Sequence, residues 1–178
     1  MIILTAPHAF CIEKFERHCD RLAKKAAITI SNTLSKNSLS SYLFLPNTLR
    51  SDCDLNRDIC INNIYRKNIR KFLKENTNKI LFTLDIHSFP KENTKWGMYD
   101  LVILDDDGFT DYSISLYKFC KEKGIKISLI AGKGNSIQDE MRFLGYKNLL
   151  LEFKESLENS EIITITDIIC KWLKNYVK

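Results

Sequence analysis

Apolar residues fall along this chain in two rhythms. Nearly unbroken apolar runs occupy residues 2–6, 42–46, 79–84, 100–104, 125–130 and 148–153, bounded by proline, glycine or polar residues. Runs of that length between turn residues predict strands covered on both faces. Elsewhere the spacing changes to that of a helix. From about residue 18, Cys19, Leu22, Ala23, Ala26, Ile30 and Leu34 recur at intervals of one to four. Ile59, Ile64, Ile69, Phe72 and Leu73 recur at intervals of one to five among basic residues, and both stretches predict amphipathic helices. Further helices are predicted over 112–123, stopped by Gly124, over 137–144, stopped by Gly145, and over 165–177.

Strands alternating with helices predict an α/β fold: a three-layer αβα sandwich around a mainly parallel, mixed sheet. With 178 residues, 44% of them hydrophobic, the chain suffices for one core, and a single domain over 1–178 is expected. In such sheets binding sites gather at the carboxyl ends of strands.

Charge adds little to this picture. Lys and Arg number 27 against 22 Asp and Glu, a net +5 scattered over several segments, which suits a small anionic substrate. The basic stretch 66–74 reads as the wet face of its helix, so no nucleic-acid partner is expected. Six cysteines (Cys11, Cys19, Cys53, Cys60, Cys120, Cys170) include no C-x-x-C pair and follow no secretory segment. Reduced thiols and a cytoplasmic, intracellular location are therefore expected. No run approaches the roughly 20 apolar residues that span a bilayer, so no membrane partner is expected either.

Rare polar residues at strand ends carry the chemical signal. His8 follows the first strand, Asp85 and His87 follow the strand at 79–84, and Glu152 closes the last. Three strand ends thus bring imidazole and carboxylate to one sheet edge, and hydrolytic zinc takes three ligands of these kinds. Read singly, each has a plainer role: a turn histidine, a turn-capping Asp85, a solvated Glu152. Asp85 could also orient a metal-bound imidazole by accepting its other N–H. Asp105, Asp106 and Asp107, before Gly108, read as a turn. Cys53 or Cys60 as a nucleophile, assisted by His18 or His87, is a rival chemistry.

The ordered set PH at 7–8, CDLNRD at 53–58, DIHSF at 85–89 and LLLEF at 149–153 resembles the N-formylglutamate amidohydrolase family. More distantly it resembles the zinc carboxypeptidases and succinylglutamate desuccinylases. The resemblance implies a zinc carboxypeptidase-like sandwich holding Zn2+ on His8 and His87. It further implies that Asn56 and Arg57 bind a substrate carboxylate and that Glu152 acts as general base, then acid. Zinc brings the pKa of its bound water toward about 7, and a neighbouring glutamate can then take the proton. The pattern departs at the third ligand, because Cys11 stands where carboxypeptidases place glutamate. Asp20, expected in the first turn of the first helix, is preferred there, with Glu13, Glu16 and a Cys11 thiolate as alternatives. Arg50 would polarise the scissile carbonyl, or else be a solvated loop residue.

The function expected is zinc-dependent hydrolysis of an amide in a small acidic or acylated amino-acid substrate. A metallocarboxypeptidase acting on a peptide C-terminus and a non-catalytic, anion-binding relative are the alternatives.

Overall fold

In the computed structural model, β1 (Ile2–Thr5), β2 (Ser41–Phe44), β3 (Phe82–Phe89), β4 (Leu101–Asp105), β5 (Ile127–Ala131) and β6 (Asn148–Lys154) form one sheet in the order β2-β1-β3-β6-β4-β5. Residues 1–12, 19–105, 107–132 and 136–177 are described, so Glu13, Glu16, His18 and Asp106 lie outside them. All neighbouring strands run parallel except β4 against β6, which makes the sheet mixed. The helices are α1 (Ala23–Lys36), α2 (Ile64–Glu75), α3 (Asp111–Glu122), α4 (Ser136–Phe143) and α5 (Asn159–Tyr176).

Strand alternation sorts the side chains onto two faces. Leu84, Ile86, Leu149 and Leu151 pack with Ala26, Ile30 and Leu34 of α1, Leu116 of α3, and Ile165, Ile169 and Trp172 of α5. On the opposite face Ile3 and Phe44 meet Tyr65, Ile69 and Leu73 of α2 and Ile137 and Met141 of α4. The result is the expected αβα sandwich. Thr5, Asp85 and His87 sit out of phase with Leu84 and Ile86, on the α2/α4 face.

Several boundaries differ from the sequence reading. Strand β3 runs to Phe89, so Asp85 and His87 lie inside it rather than after it. The reason is pairing, because β6 hydrogen-bonds alongside from Thr83 against Asn148 to Phe89 against Lys154. Ile59 does not join the apolar stripe of α2. It stands 92% exposed in a short 3-10 turn before the helix, whose true start is capped by Asn63 accepting from Tyr65 N. Helix α5 begins at Asn159, six residues before the apolar spacing suggested, where Glu158 and Glu161 form a reciprocal capping box.

Arg66 is buried at 1% exposure rather than lying on a wet face. Its Nε donates to Glu140 Oε2 at 2.9 Å, and its Nη1 donates to Leu55 O at 3.0 Å and Ser136 Oγ at 3.1 Å. One guanidinium thus ties α2, the loop carrying Asn56 and α4 together. Arg66→Met leaves these acceptors without their donor, and urea unfolding should show a loss of about 3 kcal/mol.

Candidate metal centre

Residues 5–8 carry the chain off the end of β1, and His8 is buried there. The chain then returns to it: Asp20 N donates to His8 O at 3.0 Å. This backbone contact places Asp20, also buried, in the loop ahead of α1 rather than in the helix's first turn. His87 reaches the same point from β3. One ligand atom each from His8, Asp20 and His87 lies within 4.8 Å of the others.

Hydrogen-bond partners assign the protons. His8 Nε2 lies 2.7 Å from Asp54 Oδ1, a carboxylate that can only accept, so Nε2 carries the hydrogen. Nδ1 of a neutral His8 then presents a lone pair. That buried atom has no hydrogen-bond partner among the described residues and faces Asp20 Oδ2 at 3.4 Å. A buried imidazole nitrogen and a carboxylate oxygen facing each other are stabilised by a cation shared between them, a proton or a metal ion.

His87 supplies one of its own. Its Nδ1 is 2.7 Å from Asp20 Oδ2 and its Nε2 is 3.2 Å from Asp85 Oδ2, so both nitrogens donate. Burial opposes the charge on His87, but the Asp85 charge and the Asp20 hydrogen bond outweigh it and hold the imidazolium well above the usual histidine range. Burial likewise works against ionised Asp20, whose carboxyl is nevertheless held below its ordinary value by the His8 and His87 imidazoles beside it. The proton on His87 Nδ1 therefore sits where a metal ion would. Two imidazole nitrogens and one carboxylate oxygen fit zinc, and each ring's far nitrogen is held by a second carboxylate, Asp54 for His8 and Asp85 for His87.

Sequence reasoning missed two of these supports. Asp54 lies within the motif CDLNRD, and its place beside a histidine 46 residues away is tertiary. Thr5, which donates to Asp85 Oδ1 at 2.6 Å, was read only as part of an apolar strand.

Burial pushes the Glu152 carboxyl up to about 7, against the lowering effect of His87. Glu152 pairs in register with His87 across β3 and β6, which puts both on one face of the sheet. Arg50, Asn56 and Arg57 complete the polar wall of a cavity of ≈ 260 Å³, which Ser88, Phe89, Pro90, Trp96, Leu104 and Leu150 also line. Arg50 is paired while partly exposed, its Nη1 donating to Asp20 Oδ1 at 3.3 Å and its Nε to Asp54 Oδ2 at 3.4 Å. Asn56 Oδ1 accepts from Ile137 N at 3.1 Å, which leaves Nδ2 3.2 Å from His87 Nε2, where two donors meet without a hydrogen bond while the imidazolium is charged. Half of the Asn56 amide is thus committed to the fold. Asp105 forms the expected turn, with Oδ2 accepting from Thr110 N at 2.8 Å.

The thiols depart from expectation. Cys11 pairs with Cys19 and Cys53 with Cys60, while Cys120 and Cys170 are free and buried. The bonds join cysteines only eight and seven residues apart in sequence. Asp20 and Asp54 each directly follow a bonded cysteine. The assumption of six reduced thiols does not hold, and the composition-based reason for a reducing compartment goes with it. A thiolate ligand at Cys11 and a nucleophile at Cys53 or Cys60 are overturned by the same bonds. Among the described residues no helix is long and apolar enough to cross a membrane.

Neither a protein-family model nor a curated protein matches this sequence. Solved structures do match its shape. Gene product Atu2144 from Agrobacterium tumefaciens superposes with a TM-score of 0.73 at 13% identity, over 99% of this chain and 89% of that one. The CwlD amidase from Clostridioides difficile, solved in complex with the GerS lipoprotein, gives 0.60 at 15% identity over 98% of both chains. BSAP, a zinc aminopeptidase from Bacillus subtilis, gives 0.55 at 12% identity over 99% of this chain and 46% of its own, so the chain spans less than half of that enzyme. At such identities the likeness establishes the fold, a mixed and mostly parallel α/β sheet shared with an amidase and a zinc aminopeptidase.

Proposed function

We propose that the chain is a zinc-dependent hydrolase that cleaves an amide bond of a small, carboxylate-bearing substrate such as an N-acyl amino acid. The observation that carries this reading is the convergence of His8, Asp20 and His87, with an orphaned Nδ1 on His8 and each imidazole backed by a carboxylate. The fold shared with an amidase and a zinc aminopeptidase supports it. Asp20 beside His8 and His87 supplies a third donor, which favours this reading over a non-catalytic, anion-binding relative.

Zinc bound by the three donors would supply the Lewis acidity that makes water nucleophilic near neutral pH. Glu152, held at the cavity wall with a pKa pushed up to about 7, takes a proton from the attacking water. The water oxygen bonds to the carbonyl carbon, the carbon–nitrogen bond breaks, and Glu152 returns its proton to the leaving nitrogen. Arg50 stands at the wall to meet negative charge developing on the carbonyl oxygen. Arg57 and Asn56 Nδ2 hold the substrate carboxylate and so fix the amide's orientation.

Protein purified without added zinc should contain bound metal or take up one equivalent. It should hydrolyse N-acyl amino acids in a way that a chelator stops and zinc restores. If zinc reconstitution gives neither a bound ion nor metal-dependent hydrolysis of any N-acyl amino acid or short peptide, the reading is wrong.

A further inference from the structure

The cavity has two chemically different sides, and the sheet order separates them. Arg50, Asp54 and Arg57 lie in the loop that follows β2, next to the His8 end of the site. Leu150 and Glu152 on β6, Leu104 on β4 and Gly132 after β5 lie toward the other edge, where Glu152 is the one ionisable group among the described residues, with Phe89 and Pro90 at the end of β3 between. The donor cluster sits in the middle. A carboxylate-bearing substrate held by Arg57 and Asn56 would therefore extend its other half across the metal centre, past Glu152, toward β6 and β4.

That side is completed by a ten-residue turn built to present one indole. Asn93 Oδ1 accepts from both Lys95 N and Trp96 N at 3.0 Å, and Asn93 O accepts from Gly97 N at 2.7 Å. Tyr99 N closes the turn on Trp96 O at 2.8 Å. A Cβ on Gly97 would stand 2.7 Å from Asn93 O and 2.8 Å from Lys91 O, both backbone, so the loop can be this tight only with glycine there. Trp96 is left partly exposed, edge-on to the buried Phe89 ring at 5.7 Å and facing the cavity.

We propose that Trp96 is a specificity-determining residue and that the acyl half of the substrate is apolar and flat or branched, lying against the Trp96 indole that Phe89 backs. This deepens the hydrolase reading and rests on it for which half of the amide is which. A formyl group, with no carbon beyond its carbonyl, would leave that wall uncovered. The gain from covering a partly exposed indole with an aromatic acyl group is of a size that an affinity ratio resolves.

Four probes separate the outcomes: N-formyl and N-benzoyl derivatives of glycine and of glutamate, titrated into the zinc-loaded and zinc-free protein and followed by tryptophan emission. Trp172 is buried and gives a constant background, so a change reports Trp96. Benzoyl compounds should bind at least about tenfold tighter than formyl compounds carrying the same amine. Trp96→Ala, with a native circular dichroism spectrum, should bring that ratio to within about twofold, and Trp96→Phe should keep most of it. Equal binding of formyl and benzoyl compounds, no binding of any probe, or an unchanged ratio in Trp96→Ala would overturn the proposal. A benzoyl preference without hydrolysis leaves the wall standing and removes the hydrolase reading. Hydrolysis without acyl preference does the reverse.

Discussion

Glu152→Gln should lower kcat on the order of 10³-fold while leaving the zinc content unchanged. Glutamine keeps the shape and a hydrogen-bonding carbonyl but cannot carry a proton from water to a leaving nitrogen. Zinc should stay because Glu152 is not one of the three converging donors. Metal analysis beside steady-state kinetics reads both halves. The pH profile adds a second signature. A base must be ionised, so wild-type kcat/KM should fall as pH drops through the carboxyl's pKa, which burial pushes up to about 7 in the metal-free protein. A bound cation favours the carboxylate and moves that limb lower. The limb should vanish from the residual activity of Glu152→Gln. A variant within a few-fold of wild type would remove Glu152 from the role of base.

How much of this could be seen in the sequence follows from where each signal resides. Strands such as β4 and β6 were legible because burial on both faces leaves an unbroken apolar run. The second half of β3 was not. Asp85, His87 and Ser88 interrupt the run because His87 and Ser88 line a site and Asp85 backs His87, while β6 continues to pair beside them through Lys154. The same polar residues that marked the site concealed the strand that carries it. Arg66 misled in the opposite direction. In a helix rich in Arg and Lys it looked solvated, and only the packing of α4 shows that its guanidinium is enclosed by Glu140, Leu55 O and Ser136.

The candidate site was legible in proportion to how local each contact is. His8, His87 and Glu152 could be named from strand ends and motif order. Asp54 and Trp96 could not, because their partners lie across the fold. Trp96 sits in the polar segment KENTKWG, where a single aromatic residue reads as loop, and its orientation depends on Asn93 and Gly97 together. The cysteines show the limit of composition, since pairing depends on the return of the chain that brings Cys11 and Cys19 to a Cα separation of 5.4 Å.

Zinc and a proton should compete for one place in this protein, and Asp20 should decide the contest. Without metal, His87 is held charged well above the usual histidine range, so it is protonated at pH 7. Loading zinc onto its Nδ1 must expel that proton. Apparent zinc affinity should therefore rise about tenfold per pH unit above pH 6.5, until the pH passes the pKa of His87. Calorimetry in buffers of different ionisation enthalpy should record about one proton released per ion. The sign for folding is the reverse. A group whose folded pKa is raised contributes stability that is complete below its unfolded pKa of about 6.5 and is lost as pH climbs through the folded value. The metal-free protein should accordingly lose thermal stability from neutral to alkaline pH, and zinc should flatten that decline. Asp20→Asn tests the cause. It removes the carboxylate that both holds the proton on His87 and faces the orphaned His8 Nδ1, yet keeps the backbone bond from residue 20 to His8 O. Zinc retention should fall by at least about 100-fold, more than loss of a supporting partner would cause, and the pKa of His87 should drop toward the ordinary range. Wild-type zinc affinity in Asp20→Asn would show that the ion, if one binds, is held by another group.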